Sequence, residues 1–225
     1  MLVVLLTVAT GSVDAVGFLR LGGVFTSVMT ANMVLLGVSV GKQDAAIALH
    51  SGVAFGGYVV GAFVGSHLAG RAVHGQPVWP RRITTALALE FVALAVFTAW
   101  WEASGGHPSV EATYPLLAVN AAALGTQSGA VLRFGVSGLS TTYLTGTLTQ
   151  FVSSVTKTAD RIFWRSGAVL AALILGGILG AVLTIEVPSF LPVLPLGILV
   201  LVIACSQSAF RGGLGSDQAP EFVAR

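Results

Sequence analysis

The sequence predicts an all-α fold, a polytopic bundle of transmembrane helices. Two observations carry this. Only 9% of the 225 residues are charged while 55% are hydrophobic, against about 25% charged in an average soluble domain, and mean hydropathy is +0.89. Apolar runs of helical length also recur from end to end. A helix of about 20 apolar residues crosses the roughly 30 Å of hydrocarbon in a bilayer and satisfies its own backbone groups there. A transmembrane β-barrel would need short alternating segments, which these runs are not.

Six strong spans are expected at 2–19, 47–69, 83–102, 113–132, 166–185 and 190–207. Two weaker segments, 24–41 and 139–156, are interrupted or polar. The second holds Ser140, Thr141, Thr142, Thr145, Thr147, Thr149, Gln150, Ser153 and Ser154. Met1–Val8 has no basic residue before it and no small-residue cleavage site after it, so it reads as the start of the first span rather than a signal peptide. The chain is expected to begin a few residues later than its relatives.

Loop charge orients the spans. Arg71, His74, Arg81 and Arg82 follow the second span, and Lys157, Arg161 and Arg165 precede the fifth. The loop 103–112 has no Lys or Arg. The positive-inside rule places the two basic loops in the cytoplasm and 103–112 outside. If 139–156 crossed fully, the basic loop after it would fall on the wrong side. Both weak segments are therefore expected to dip in and return, giving six crossings with cytoplasmic termini; eight full crossings is the alternative. The net charge of +2 follows from this loop bias, so no nucleic-acid partner is expected. The partners expected are the lipid bilayer and an unidentified small-molecule or ion substrate. One transmembrane domain covers 1–210, and 211–225 is expected to be a disordered cytoplasmic tail. The protein is expected in the bacterial cytoplasmic (inner) membrane.

The halves 1–103 and 113–207 repeat one another. Gly11 aligns with Gly125, Asp14 with Ser128, and Arg20 with Arg133. Thr26-Ser27 then aligns with Thr141-Thr142, and Thr30-Ala31-Asn32 with Thr145-Gly146-Thr147. Gly57-x-x-x-Gly61 echoes Gly176-x-x-x-Gly180. Three strong spans per half would invert one half relative to the other, an arrangement recurrent in transporters.

Val13–Asn32, reading V-D-A-x-x-F-L-x-L-G-x-V-F-x-x-x-M-T-x-N, and Thr141–Gln150, reading T-T-Y-L-T-G-T-L-T-Q, resemble the YoaK family of uncharacterised bacterial membrane proteins. With the span pattern the resemblance covers nearly the whole chain. Ala31 stands where the family's Met-Thr-Gly-Asn has Gly, which puts a Cβ where the backbone needs close approach. The resemblance implies a transporter-like layout and supplies no substrate.

Asp14 is the sharpest candidate, because a carboxylate inside an apolar span faces a partner or a wet cavity. It would bind a cation, a proton or a substrate donor, or else pair with an Arg and fix the bundle. Thr26, Ser27, Thr30 and Asn32 form one polar cluster, and Thr141, Thr142, Tyr143, Thr145 and Thr147 its counterpart. If helical, Thr26 shares a face with Thr30 and Thr141 with Thr145. Such groups line a pocket, or they bond their own helix carbonyls and pack. Glu90, inside the third strong span, is a candidate proton partner to Asp14, and Gln127 a pocket or cross-helix group. Arg20 and Arg133 are read as snorkelling to the headgroups.

Four scattered His and one Cys, Cys205, offer no metal-ligand spacing, so no metal or cofactor is expected. No Walker A, HExxH or GxSxG motif is present, and an enzyme is not expected. Gly52, Gly56, Gly57, Gly61 and Gly65 form small-xxx-small rows for close helix packing, and the glycine faces permit a homodimer. These features predict a small-solute secondary transporter or permease. The rival is a structural or sensing membrane protein, marked by Thr-rich segments packed without a cavity.

Overall fold

The structure, a computed structural model, describes residues 2–70, 81–132, 144–155, 161–190 and 192–212. Its order is α1 Leu2–Arg20, α2 Met29–Lys42, α3 Ala45–Ala69, α4 Arg81–Ala103, α5 Val110–Val131, α6 Leu144–Val155, α7 Arg161–Glu186, a 3₁₀ turn Pro188–Phe190, and α8 Val193–Gly212. No strand occurs among the described residues. α1, α3, α4, α7 and α8 are long and apolar enough to cross a membrane. Their outer faces carry large exposed apolar groups such as Phe63, Ile174, Ile178 and Val182. In water such a belt would drive aggregation; against acyl chains it is the expected surface. The protein is thus a multi-pass membrane protein.

α5 has the length of a span but carries Asn120, Thr126, Gln127 and Ser128, all buried. It lies inside the bundle, so its polar groups meet protein rather than lipid.

The helices meet through glycines. A Cβ on Gly57 would lie 2.6 Å from the Ala118 carbonyl oxygen, one on Gly61 2.0 Å from that of Ala122, and one on Gly65 2.1 Å from that of Thr126. Both numbers rise together, so α3 and α5 run parallel. α1 and α7 do the same: a Cβ on Gly176 would be 2.2 Å from the Val8 carbonyl oxygen, and one on Gly180 2.6 Å from that of Ser12. Gly61 and Gly65 stand to Ala122 and Thr126 as Gly176 and Gly180 stand to Val8 and Ser12. Gly57 itself has its own backbone contact, whereas Gly52 and Gly56 have nothing within 4 Å, so the packing role expected of the whole row belongs to Gly57, Gly61 and Gly65.

Core clusters give the remaining directions. Val16, late in α1, and Leu21, just past its end, pack with Leu116 and Leu117, early in α5, and with Trp101 at the end of α4. Leu6, early in α1, packs with Val131 at the end of α5 and with Ile83 at the start of α4. α1 and α4 therefore run one way and α5 the other. α3 shares the direction of α5, and α7 that of α1.

The chain between α1 and α3 doubles back. Gly22 and Gly23 take φ of +97° and +73°, which glycine alone adopts without strain, and they turn the chain toward the bundle. Gly17 then faces Val24 and Thr26, so residues 24–27 lie at the depth of Asp14. α2 leads out again to the end where α1 finished. Gln43 closes it in the left-handed region, and the Asp44 side chain caps α3 through the amides of Ala46 and Ile47. The His50 ring, in the second turn of α3, sits directly under Gly22 and 4.6 Å from the Tyr114 ring. α2 has 14 residues, roughly 21 Å at 1.5 Å per residue, which is short of the roughly 30 Å of hydrocarbon. The described residues of α6 number 12. α2 also starts at Met29, not within 24–28, because that stretch is held open by side chains. The start of the second weak segment, with Thr141, Thr142 and Tyr143, lies outside the described residues, as does Arg133. α8 continues through Arg211 and Gly212, and the rest of the expected tail, 213–225, is also outside them.

Candidate functional site

Asp14 sits in the penultimate turns of α1, buried, facing the returning strand of chain. Its Oδ1 accepts from the Thr26 amide at 2.7 Å, the Thr26 hydroxyl at 2.8 Å and the Ser27 amide at 2.8 Å; its Oδ2 accepts from the Ser27 hydroxyl. One carboxylate thus replaces the water that two backbone amides and two hydroxyls would have had. These amides lie just before α2, where a helix N-terminus favours negative charge.

Asn32 holds the other side of the same strand. Its Oδ1 accepts from the Phe25 amide at 3.0 Å, and its Nδ2 donates to the Phe25 carbonyl. This is the pairing a neighbouring β-strand would give, made by one side chain. Between them Asp14 and Asn32 satisfy residues 25–27, as non-helical backbone inside a membrane protein requires.

The strand forms one wall of a cavity of about 330 Å³ between α1 and α7. Gly11, Asp14, Ala15, Phe18 and Leu19 line it from α1, Phe25 and Val28 from the strand, and Leu173, Gly177 and Ala181 from α7. The Phe18 and Phe25 rings stack at 5.3 Å. Asp14 is the sole ionisable group in this lining. Arg20 does not approach it: its guanidinium donates to the Thr184 carbonyl at 3.1 Å and ties the ends of α1 and α7 together.

The candidates divide accordingly. Asp14, Thr26, Ser27 and Asn32 come together. Thr30 is exposed, one turn away from them. Thr26 is not in a helix, so the shared face expected for Thr26 and Thr30 does not form. In α6, Thr147 is buried and Thr145 exposed. Thr141, Thr142 and Tyr143 lie outside the described residues. Glu90 does not join Asp14. It falls on the buried stripe of α4 between Leu87 and Leu94, two members of the cluster that holds Leu6, Leu124 and Leu199. Gln127 bridges the halves: its Nε2 donates to the Thr10 hydroxyl at 3.0 Å.

Sequence reasoning missed Phe18, Phe25, Leu173 and Gly177. Phe18 was legible as the residue one turn beyond Asp14. The α7 residues were not, since nothing local says which glycine-bearing helix packs on α1.

A second group of polar atoms has no hydrogen-bond partner among the described residues: Glu90 Oε2, Gln127 Oε1 and both side-chain atoms of Asn120. Asn120 lines a small cavity of about 10 Å³ with Ser12, Thr98 and two prolines, Pro192 and Pro195, space for about one water. A buried carboxyl without a partner weakens a fold, and an apolar replacement of similar volume is often neutral or stabilising. Glu90→Met is therefore expected to hold or raise the melting temperature in detergent, by up to about 3 kcal/mol of stability. A fall of several degrees would show that Glu90 is paired.

A family model described as "Protein of unknown function (DUF1275)" matches residues 2–206. The "UPF0700 transmembrane protein YoaK" of Bacillus subtilis (strain 168) is 33% identical over 161 residues, which cover 72% of this chain and 68% of that protein. Both agree with the resemblance carried by Val13–Asn32 and Thr141–Gln150. No solved structure matches the chain.

Proposed function

This chain belongs to the DUF1275 family of proteins of unknown function, and from that premise we propose that it is a small-solute secondary transporter or permease of the cytoplasmic (inner) membrane, built from two oppositely directed halves. The observation that carries the reading is the Asp14 cavity, which lies on the seam between α1 of the first half and α7 of the second. A carboxylate held inside a membrane domain, beside a non-helical strand and at the contact of two repeats, is how transporters of this class build a substrate site.

The packing supports the paired halves. Exchanging α1 with α5, α2 with α6, α3 with α7 and α4 with α8 converts the two most extensive helix contacts, α3 on α5 and α1 on α7, into each other. It does the same for α4 on α5 with α1 on α8, and for α2 on α3 with α6 on α7. The opposed directions of α1 and α5 support an inverted pair of halves, a reading in which the chain makes six crossings and two short helices enter and return. Two equivalent packings of this kind allow one half to rock against the other around the seam.

The test needs no substrate. In a Cys205→Ala background, a single cysteine is placed in the cavity by Ala181→Cys. The protein is reconstituted and exposed to a membrane-impermeant maleimide from each face in turn. Alternating access predicts labelling from both faces. Labelling from one face only, or from neither, removes the transport reading.

A further inference from the structure

We infer that the cavity on the α1–α7 seam binds a monovalent organic cation whose charge carries no hydrogen-bond donor, that is, a quaternary ammonium with an apolar body. The inference names the substrate class of the site proposed above and rests on that transport reading for its physiological role.

Three features of the cavity select this chemistry. The first is charge. Two backbone amides and two hydroxyls surround the Asp14 carboxyl, and hydrogen bonds donated to a carboxylate favour its ionised form, the form that binding a cation requires. Its partners are backbone amides and hydroxyls of Thr26 and Ser27, and no Lys, Arg or His is among them. The partial positive charge at the start of α2 offsets only about half a unit. A net negative charge is left on the wall of an apolar cavity, where the low dielectric makes it a strong attractor for a cation.

The second is the scarcity of free acceptor sites. Of the roughly four lone-pair sites of a carboxylate, Oδ1 meets three donors and Oδ2 one, which leaves a single site, on Oδ2. A primary ammonium carries three donors that it must satisfy on leaving water. Here Asp14 offers it one acceptor site, and satisfying the other two donors on the carboxylate would displace Thr26 or Ser27. A quaternary ammonium asks for charge alone and leaves those bonds intact.

The third is the aromatic pair. Phe18 and Phe25 stack at 5.3 Å and both line the cavity. Ring faces beside a carboxylate are the usual means of holding a quaternary ammonium. The rest of the lining is Ala, Gly, Val and Leu, which suits an apolar body, and about 330 Å³ lies at the lower end of small-molecule sites, on the order of 300 Å³. Asp14 is six residues from the end of α1, roughly 9 Å inside it.

Purified protein in a nonionic maltoside is tested by scintillation proximity with tritiated benzyltrimethylammonium. The competitors are benzylammonium and neopentylbenzene, in which carbon replaces the quaternary nitrogen. Saturable binding is expected, with neopentylbenzene and benzylammonium each at least tenfold weaker. Phe18→Leu, which leaves the Asp14 bonds untouched, should weaken binding roughly three- to tenfold through loss of a ring face, and Asp14→Asn should abolish it. Absence of saturable binding, equal affinity for the carbon isostere, or tighter binding of benzylammonium overturns the proposal. Two-sided labelling at position 181 without binding of the quaternary cation removes the substrate class and leaves transport standing. Binding without two-sided labelling keeps the site and removes transport.

Discussion

Gly61→Ala will destabilise this protein strongly, although alanine is the better helix former by about 1 kcal/mol. The added methyl would lie 2.0 Å from the Ala122 carbonyl oxygen and within 2.8 Å of its carbonyl carbon and Cα. These are backbone atoms of a buried helix and cannot rotate away. Relief requires α3 and α5 to separate by more than an ångström over their whole contact, which also opens the neighbouring Gly57 and Gly65 contacts. Overpacking of this kind costs about 3 kcal/mol or more when backbone must move. The expected result is a melting temperature lowered by many degrees, or no monodisperse protein, in fluorescence-detected size exclusion. Gly176→Ala should match it, because its methyl would lie 2.2 Å from the Val8 carbonyl oxygen in the corresponding contact of the other half. Gly52→Ala and Gly56→Ala meet open space and should be neutral or slightly stabilising. A silent Gly176→Ala beside a damaging Gly61→Ala would mean that the two contacts are not equivalent.

Asp14→Ala should release the strand 24–28 while leaving the long helices in place. The substitution strands the amides of Thr26 and Ser27 and both hydroxyls. Each buried group left without a partner costs about 1–3 kcal/mol. The sum exceeds what the local packing of five residues can hold, so the strand is expected to open rather than stay and tolerate the loss. Amide exchange at Thr26 and Ser27 should accelerate by roughly a hundredfold or more, equivalent to about 3 kcal/mol. Protection in α5 and α7 should change little. Asp14→Asn should fall between, since it keeps one acceptor oxygen but presents an NH₂ to the Ser27 hydroxyl. Unchanged protection at Thr26 and Ser27 in Asp14→Ala would show that something other than the carboxylate holds the strand.

Much of the candidate site could be read before any coordinates. A lone aspartate in an apolar span, followed by a Thr-Ser pair and an asparagine, marks backbone that must be satisfied without water, and Asp14, Thr26, Ser27 and Asn32 do meet. From sequence the role of Asp14 stands open between binding and bracing, because one residue can do both. Its carboxyl lines a cavity and accepts four hydrogen bonds from Thr26 and Ser27. Glu90 was expected as its partner and lies elsewhere, on the stripe of α4 that faces Leu6, Leu124 and Leu199. Span position gives depth in the membrane but not azimuth, and pairing across a bundle depends on azimuth. Thr30 failed for a related reason: the shared face assumed a continuous helix, and Thr26 is outside it.

Composition and the recurrence of long apolar runs alone determined that this is a helical membrane protein and where its long helices run. Those properties follow from the solvent, since hydrocarbon forces each crossing segment to be long, apolar and internally bonded. Which helices touch was decided only by the tertiary structure. Contact depends on small residues from distant parts of the chain meeting backbone to backbone, as Gly61 meets Ala122 and Gly176 meets Val8. In lipid, where apolar surfaces gain nothing by leaving solvent, such fit is what selects one arrangement over another.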